Sequence, residues 1–272
     1  MDGRVLRACS SAIVEFPTAG LIARIETPER AAVAVNQSRI ARFLHTVDAP
    51  VATLAWPDAL LVEGSHPVTL WWRLEAEAGA PHLHHREVGT LLRVLHDRSR
   101  GAPSSLPASD PFLGPATWIR NLSSLDSGLV RALSELQMGL ITRWTAEVGA
   151  DPLGTVVLHG DAHHQNVIRT AKGPIFIDLE DAGVGSASWD FAFLGAHVRR
   201  YGLDPRYFEE FAAGYGADPR SWSGFHLMCE VYEWHAAVWA AGCHRTSARM
   251  AHEGHIRVRS VLGESSESWT LI

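Results

Sequence analysis

The chain of 272 residues is 46% hydrophobic and 20% charged, which is the composition of a folded globular protein with one large domain or two small ones. The net charge of −6 argues against a nucleic-acid partner, and no apolar run reaches the roughly 18–20 residues of a membrane span, so we expect neither nucleic-acid nor membrane binding. The N-terminus lacks the apolar core of a signal peptide and the 3 cysteines are scattered, which predicts a cytoplasmic protein without a disulfide framework or a Cys-based zinc site.

The first third of the chain is predicted to consist of short strands with one helix among them. The β-type runs at 12–17 and 21–26 are separated by a three-residue turn, which predicts a hairpin. Apolar residues at helical spacing predict a helix over residues 29–45. The other predicted strands are 51–56, 59–64 and 68–75, of which the last two form a second hairpin.

Beyond Leu74 the pattern predicts mainly helices. A Gly-, Pro- and Ser-rich stretch at 101–115 indicates an irregular connection, and the region 155–180 is of β type. We therefore predict an α+β fold with two lobes, a small β-rich N-terminal lobe over residues 1–73 and a larger, mainly helical C-terminal lobe over residues 74–272. The predicted helices of the large lobe are 87–98, 127–147, 188–202, 205–216 and 223–245.

Residues 156–181, VVLHGDAHHQNVIRTAKGPIFIDLED, place many polar side chains between apolar strands. Polar groups are costly to bury, so this arrangement indicates a functional site rather than a surface loop. The spacing of Asp161 and Asn166 lets both side chains point into one pocket. Asp178 closes the strand that follows a predicted hairpin, whose turn lies at Lys172 and Gly173.

The same residues match a known arrangement for phosphoryl transfer. Protein kinases carry a catalytic loop H-R-D-L-x-x-x-N followed by D-F-G, and residues 159–161, Asn166 and residues 178–180 correspond to these elements. In this chemistry Asp161 is the catalytic residue that orients and deprotonates an acceptor hydroxyl. Asn166 and Asp178 are the metal ligands that hold Mg²⁺ against the nucleotide triphosphate.

HGDAHHQN followed by IDLEDAGVGSASWDFA resembles the aminoglycoside phosphotransferase family, the kinase-like group that includes choline kinases. The resemblance is specific over residues 156–194, and weaker but colinear over 12–98. It implies a bilobal protein-kinase-like fold and transfer of the γ-phosphoryl group of ATP or GTP to a hydroxyl of a small molecule. His159 and Gly160 would support the site, and Asp190 matches a structural aspartate that braces the catalytic loop in the family.

The resemblance also implies a basic residue on a strand of the small lobe that contacts the nucleotide phosphates and pairs with a helix glutamate. Lys172 is the only lysine of the chain and lies in the predicted hairpin, so Arg24 takes this position. The partner position holds Gln37, which would orient Arg24 without neutralising it. Ser10 and Ser11, in the loop before the strand at 12–17, would cradle phosphate. An ordinary surface role for Arg24 is the alternative.

The nucleotide base would lie between the lobes, against the end of the strand at 68–75. Trp72 and Leu74 are the predicted contacts. Because Trp71 and Trp72 alternate faces on a strand, one would pack in the core while the other lines the cleft.

Two carboxylates in an otherwise apolar helix are candidates for binding the acceptor. Glu230 and Glu233 could bind the amines of a cationic substrate such as an aminoglycoside antibiotic. Carboxylates in such a setting need partners, and pairing with Arg245 or Arg249 is the alternative that the sequence leaves open.

Two other functions remain as alternatives. The first is a catalytically impaired pseudokinase that acts as a nucleotide-binding or regulatory module, which Arg24, Gln37 and the Gly-poor loop favour. The second is a metal hydrolase built on the histidines of HGDAHH, although no zinc-binding spacing such as HExxH is present. We expect His163 and His164 to be loop residues rather than metal ligands.

Overall fold

The computed structural model describes residues 2–8, 11–58, 60–62, 66–79, 81–119, 122, 125–243 and 247–271. It divides into two compact units that each draw on distant parts of the chain. The first unit consists of Met1–Ser109, Thr155–Gly185 and Glu210–Gly216. The second consists of Asp110–Gly154, Ser186–Glu209 and Ala217–Ile272.

An antiparallel sheet of five strands forms the N-terminal part of the first unit. Its strands lie in the order β1-β2-β3-β5-β4. The predicted hairpin of 12–17 and 21–26 is confirmed, since β2 and β3 pair from Ser11 with Glu26 to Phe16 with Leu21. The strands are β1 (Arg4–Ala8), β2 (Ser11–Phe16), β3 (Leu21–Glu26), β4 (Leu60–Val62) and β5 (His66–Trp72).

The strand predicted at 51–56 was wrong. This segment divides its backbone hydrogen bonds between two different partners, because Ala52 N–H donates to Phe176 O and Ala55 N–H donates to Leu70 O, each at 2.8 Å. It therefore makes only isolated bridges. The second hairpin is confirmed by the pairing of β4 with β5. Of its turn, predicted at residues 64–67, residues 64 and 65 lie outside the described residues, and His66 and Pro67 belong to β5 instead.

The helix predicted at 29–45 is α1 (Ala31–Thr46), and it buries one face. Ile40, Ala41 and Leu44 on this face are at most 2% exposed, at the i, i+1, i+4 spacing of an amphipathic helix. Gln37 lies on the same buried face, which matters for the site below.

The rest of the chain is mainly helical, as predicted, with two helices that the sequence patterns did not indicate, at Leu113–Ile119 and Ala248–Val261. Within the described ranges, every helix is too short or too polar to cross a membrane. The helices are α2 (His85–Arg98), α3 (Leu113–Ile119), α4 (Ser127–Glu147), α5 (Trp189–Tyr201), α6 (Pro205–Tyr215), α7 (Ser223–Gly242) and α8 (Ala248–Val261).

Four short strands flank the polar segment that the sequence singled out. They form two separate two-stranded sheets, β6 with β9 and β7 with β8. The β7–β8 hairpin is confirmed, but its turn lies at Ala171 and Lys172, one residue earlier than predicted, because Thr170 pairs with Gly173. The strands are β6 (Thr155–Leu158), β7 (Val167–Thr170), β8 (Gly173–Phe176) and β9 (Gly183–Ser186).

Candidate active site

The loop after β6 begins at His159, whose ring is completely buried. Its Nδ1 accepts the backbone N–H of Asp161 at 3.2 Å, so the ring proton resides on Nε2, which donates to Ile177 O at 3.0 Å. The histidine therefore ties the start of the loop to the segment that follows β8. The supporting role of His159 stays a prediction, and these two hydrogen bonds favour it.

Gly160 occupies a position that no larger residue fits. Its φ of 87° lies in the left-handed region, and a Cβ atom would lie 2.4 Å from the carbonyl oxygen of Asp181. The backbone of the loop can approach Asp181 this closely only because residue 160 lacks a side chain.

The structure brings Asp161 and Asn166 together, as their spacing predicted. Asn166 Nδ2 donates to Asp161 Oδ2 at 2.9 Å and to the Asp161 carbonyl at 3.0 Å. His163 adds a second donor to the same carboxylate, with its Nε2 3.1 Å from Oδ2. The Nδ1 atom of His163 accepts the N–H of Gln165, which leaves the proton on Nε2. His163 is thus a contact of Asp161, beyond its predicted place in the loop.

These contacts set the charge of Asp161. Desolvation by burial would raise the pKa of its carboxyl, but the hydrogen bond and electrostatic attraction of His163 outweigh it, helped by His159 and Asn166, and the pKa lies below its ordinary value. Asp161 is therefore ionised at neutral pH, the state that a proton acceptor needs.

Asp178 follows a residue whose backbone is bonded to Asn166, and it does not close a strand as predicted. Strand β8 ends at Phe176, and the next N–H, of Ile177, donates to Asn166 O at 2.9 Å. Asp178 then adopts a φ of 62°, a left-handed conformation that is uncommon for a residue other than glycine. Such conformations persist where the surroundings enforce them, often at functional sites.

Arg24 reaches the same place from β3. It is 5% exposed, so the alternative of an ordinary surface arginine is wrong. Its Nη1 contacts Asp178, its Nη2 contacts Glu180, and its Nε donates to Glu26 Oε1 at 2.6 Å. Burial opposes the charged form, but the carboxylates of Glu180 and Asp178 and the hydrogen bond to Glu26 outweigh it and raise the pKa of the guanidinium.

Arg30 completes this group of charges. It lies immediately before α1, and it contacts both Glu26, at 2.7 Å, and Glu180. Burial raises the pKa of the Glu180 carboxyl and nearby Asp178 and Glu26 add to the rise, against the charges of Arg24 and Arg30.

The predicted pairing of Arg24 with Gln37 is wrong, and so is the expectation that Arg24 keeps its positive charge uncompensated. Gln37 is 2% exposed, and its Oε1 has no hydrogen-bond partner among the described residues. The guanidinium is instead neutralised by three carboxylates, Glu26, Asp178 and Glu180.

The remaining predicted nucleotide contacts are placed as follows. Ser11 is the first residue of β2 and 4% exposed, so it belongs to a strand and not to the loop. Ser10 lies outside the described residues. Trp71 is 8% exposed and Trp72 is 52% exposed, which assigns Trp71 to the core. Leu74 follows β5 and is half-buried.

The predicted acceptor residues are engaged in ion pairs within the second unit. Glu233 is 1% exposed and contacts Arg199 at 3.0 Å and Arg200 at 2.7 Å. Burial raises the pKa of its carboxyl against these two positive charges. Glu230, with a side chain 34% exposed, contacts Arg143 at 2.5 Å.

Of the two alternatives that the sequence left open for these glutamates, the structure supports ion pairing, but with other arginines than expected. Arg249 donates instead to Leu271 O at 3.0 Å, and Arg245 lies outside the described residues. Asp190, the predicted structural aspartate, is buried in the first turn of α5 in the second unit.

The described residues include no group of three His, Cys, Asp or Glu side chains arranged to hold a metal ion. The histidines of HGDAHH thus give no support to the metal hydrolase. Asn166 and Asp178 offer a smaller oxygen donor set, and Asn166 presents its Oδ1 because Nδ2 donates to Asp161. Such a set suits Mg²⁺, which is usually held by one or two protein ligands together with substrate phosphates and water.

Sequence reasoning missed two residues of this site, Glu26 and Arg30. It also missed the contact that His163 makes with Asp161. One signal was present for Glu26, because residues two apart on a strand share a face. Arg30 could not be found in this way, since its approach to Glu26 depends on the turn between β3 and α1.

The family comparison covers most of the chain. A model described as the phosphotransferase enzyme family matches residues 12–225. A search of curated proteins gave no match.

Solved structures share the fold over nearly the whole chain. An amicoumacin kinase in complex with AMP-PNP and Ca²⁺ gives a TM-score of 0.72 at 12% identity, covering 97% of this chain and 88% of the other. A choline kinase from Streptococcus pneumoniae gives 0.66 at 14% identity, covering 97% and 94%. An aminoglycoside phosphotransferase from Streptomyces rimosus gives 0.61 at 21% identity, covering 84% and 92%. The predicted α+β, kinase-like fold is therefore confirmed.

Proposed function

Because the chain belongs to the phosphotransferase enzyme family and is a small-molecule kinase, we propose that it transfers the γ-phosphoryl group of ATP or GTP to a hydroxyl of a cationic small molecule. One observation carries this proposal. An ionised aspartate, Asp161, lies hydrogen-bonded to Asn166, and the backbone of Asn166 in turn holds the segment that carries Asp178. Phosphoryl transfer needs a proton acceptor and two oxygen ligands in this proximity.

Asp161 would accept the proton of the acceptor hydroxyl. Its Oδ2 already takes hydrogen bonds from His163 and Asn166, so Oδ1 is the atom we assign to the substrate. The two donors fix the plane of the carboxylate, and such positioning is a large part of catalysis in phosphoryl transfer.

Asn166 Oδ1 and the Asp178 carboxylate would hold Mg²⁺. The ion would supply positive charge that offsets the charge developing on the phosphates during transfer. Arg24 would bind the phosphates beside it, since its Nη atoms already face Asp178 and Glu180.

The nucleotide base would contact Trp72 and Leu74, and the phosphates would also meet Ser10 and Ser11. Exposure of the Trp72 ring supports its part in this set. The lobe boundary after residue 73, the bracing role of Asp190 and a cytoplasmic location stay predictions that go with this proposal.

The named substrates of the similar structures favour a cationic acceptor. Choline and the aminoglycosides carry positively charged nitrogen, and the net charge of −6 on this chain complements such a molecule. An aminoglycoside acceptor would make the protein an antibiotic-resistance enzyme. Glu230 is the better candidate of the two predicted acceptor residues, since it is more exposed than Glu233.

The test is a phosphorylation screen. The purified protein is incubated with Mg²⁺ and either ATP or GTP, together with aminoglycosides, choline-like alcohols, peptide antibiotics or neutral sugars as acceptors. We expect a phosphate ester to form with at least one cationic acceptor and none to form with Asp161→Asn. Transfer only to neutral sugars would contradict the cationic class.

A pseudokinase is the second candidate, and one observation favours it. Arg24 is bound to Asp178 and Glu180, so the phosphate-binding group and a predicted metal ligand are engaged with each other. Nucleotide binding without transfer to any acceptor, and without Mg²⁺-dependent nucleotide hydrolysis, would support this alternative.

A further inference from the structure

The guanidinium of Arg24 is held by a residue of its own strand. Arg24 and Glu26 lie two positions apart on β3 and so project from the same face of the sheet. Glu26 accepts from Nε, while Nη1 and Nη2 contact Asp178 and Glu180. Glu26 therefore binds the side of the guanidinium nearest the strand and leaves the outer two nitrogens directed at the candidate site.

Glu26 is buried, and both of its carboxylate oxygens are engaged. Its side chain is 1% exposed, Oε1 accepts from Arg24 Nε at 2.6 Å, and Oε2 accepts from Arg30 Nε at 2.7 Å. A buried carboxylate needs such paired charges and hydrogen bonds on each oxygen. Glu26 is thus held from two sides and has little freedom to move away from Arg24.

We propose that Glu26 is the positioning residue for Arg24 in nucleotide binding. It takes the role that the family resemblance gives to a helix glutamate, at whose position in α1 this chain has Gln37. This inference rests on the proposed function. Gln37 makes no hydrogen bond through its Oε1 within the described part of the chain. The carboxylate that steadies Arg24 is supplied from the strand and not from the helix.

The use of arginine follows from this geometry. A guanidinium carries one N–H on Nε, which points sideways, and four on the two Nη atoms, which point forward. It can bind Glu26 with Nε and offer the Nη hydrogens to phosphate oxygens at the same time. A lysine can also contact a glutamate and phosphates together, but only from a single nitrogen, whereas arginine distributes these contacts over three nitrogens.

Nucleotide binding then requires only an exchange at the outer nitrogens. The phosphates take the Nη hydrogens that now contact Asp178 and Glu180, and Asp178 becomes available as a metal ligand. The Nε bond to Glu26 persists throughout, so the guanidinium keeps its orientation while its outer partners change.

A double-mutant cycle between Arg24→Met and Glu26→Gln tests this role. The nucleotide KM and kcat are measured at saturating acceptor, at a temperature where each variant is folded. We expect Glu26→Gln alone to raise the nucleotide KM by about 10- to 100-fold, because the amide has one acceptor oxygen for two arginines and no charge to strengthen the bond to Arg24. In the Arg24→Met background it should raise KM no further, because Glu26 acts through Arg24.

Two control variants separate positioning from structural support. Glu15 on β2 is 7% exposed and pairs with two arginines, Arg4 of β1 and Arg73, which follows β5. Glu15→Gln should therefore lower thermal stability and leave the nucleotide KM unchanged. Gln37→Leu should leave the KM unchanged as well. A KM rise in either control equal to that of Glu26→Gln would overturn the inference, and so would additive effects in the cycle.

If Glu26→Gln does not fold, Glu26→Asp replaces it, since aspartate keeps the charge but is one methylene shorter. Its KM must rise and Arg24→Met must remove the difference. A wild-type KM in Glu26→Asp or in a folded Glu26→Gln, with active wild-type enzyme, refutes the inference and leaves the proposed function standing. If the wild type transfers no phosphate, the proposed function fails. The same cycle is then measured as the nucleotide Kd by calorimetry. Absence of nucleotide binding would refute the proposed function and the inference about Glu26 together.

Discussion

The two halves of the candidate site differ in how far apart along the chain their partners lie. In the catalytic loop, His163 and Asn166 bind Asp161 from two and five residues away. On strand β3, Arg24 reaches Asp178 across 154 residues of chain. The first half is formed by one short segment, whereas the second exists only when the sheet has brought β3 to that segment.

This difference explains which part of the site was predicted correctly. The convergence of Asp161 with Asn166 follows from a short spacing within a loop, and the structure shows it. The partner of Arg24 was expected on a helix, at Gln37. The structure instead shows Glu26, on the same strand as Arg24, as one of its partners. A contact that depends on the whole sheet cannot be obtained from the spacing of a motif.

The largest effect should come from the loop half. Asp161→Asn keeps the shape of the side chain and can still accept from His163, but an amide cannot take a proton. We expect kcat to fall by at least about 10²–10⁴-fold, the usual contribution of a general base. Steady-state kinetics with the acceptor found in the screen measures the loss, and circular dichroism checks the fold. Turnover above a tenth of wild type would show that Asp161 is not the base.

The next effect tests whether the loop half is as tightly constrained as its contacts indicate. Gly160→Ala would bring a Cβ within 2.4 Å of Asp181 O at a φ of 87°. Gly20→Ala is the matched control, since its φ is 65° and nothing lies within 4 Å of its Cβ position. Both variants bear the left-handed strain of about 1–2 kcal/mol. We expect the free energy of unfolding of Gly160→Ala to fall by a further 1–3 kcal/mol or so, the cost of overpacking. The variant should also lose most of its activity.

Urea unfolding of both variants gives the comparison. Equal losses of unfolding free energy would mean that the loop yields to the added methyl group, and that its geometry is less strictly set than the structure indicates.

The fold itself was predictable in outline for the same reason as the loop. Helices such as α4, predicted at 127–147, can be identified from the periodicity of their own apolar residues. The hairpin of β2 and β3 is likewise determined by its short turn. The segment 51–56 was misassigned because its hydrogen bonds go to two separate partners, which no local pattern shows. Arg30 escaped notice for a similar reason.

The residue that links the two halves should give an intermediate effect. Asp178 contacts Arg24 and would also ligate Mg²⁺. In Asp178→Asn the amide keeps an oxygen but loses the charge. We expect the Mg²⁺ concentration for half-maximal activity to rise by at least about tenfold, the lower range for disturbing a metal site.

Titration of Mg²⁺ at saturating nucleotide measures this requirement. Glu230→Gln, which removes a carboxylate of the second unit, is the control and should leave the Mg²⁺ requirement as in wild type. An unchanged requirement in Asp178→Asn would remove Asp178 from the metal site and leave its bond to Arg24 as its only role.

The smallest effect is a change in the pKa of Asp161. It separates the hydrogen bond of His163 from the effect of the neighbouring histidines. Desolvation would raise the pKa of this carboxyl, but the hydrogen bond and electrostatic attraction of His163, with smaller effects of His159 and Asn166, outweigh it, so the pKa lies below its ordinary value. The ionised form is thus favoured by the fold at a pH above the ordinary value of 3.8, and this advantage is lost as the pH falls through the lowered pKa. In His163→Ala the strongest of these favourable contacts is gone, so the pKa of Asp161 should rise. The acid limb of kcat/KM should therefore move to higher pH, while the rate near neutral pH falls by less than about tenfold.

His164→Ala is the control, because the His164 ring is a neighbour of the His163 ring, with 6.2 Å between their centroids. A shift of the acid limb in His163→Ala alone assigns the effect to the hydrogen bond. Equal shifts in both variants would assign it to the collective charge of the histidines, and no shift in either would mean that Asp161 does not set the acid limb.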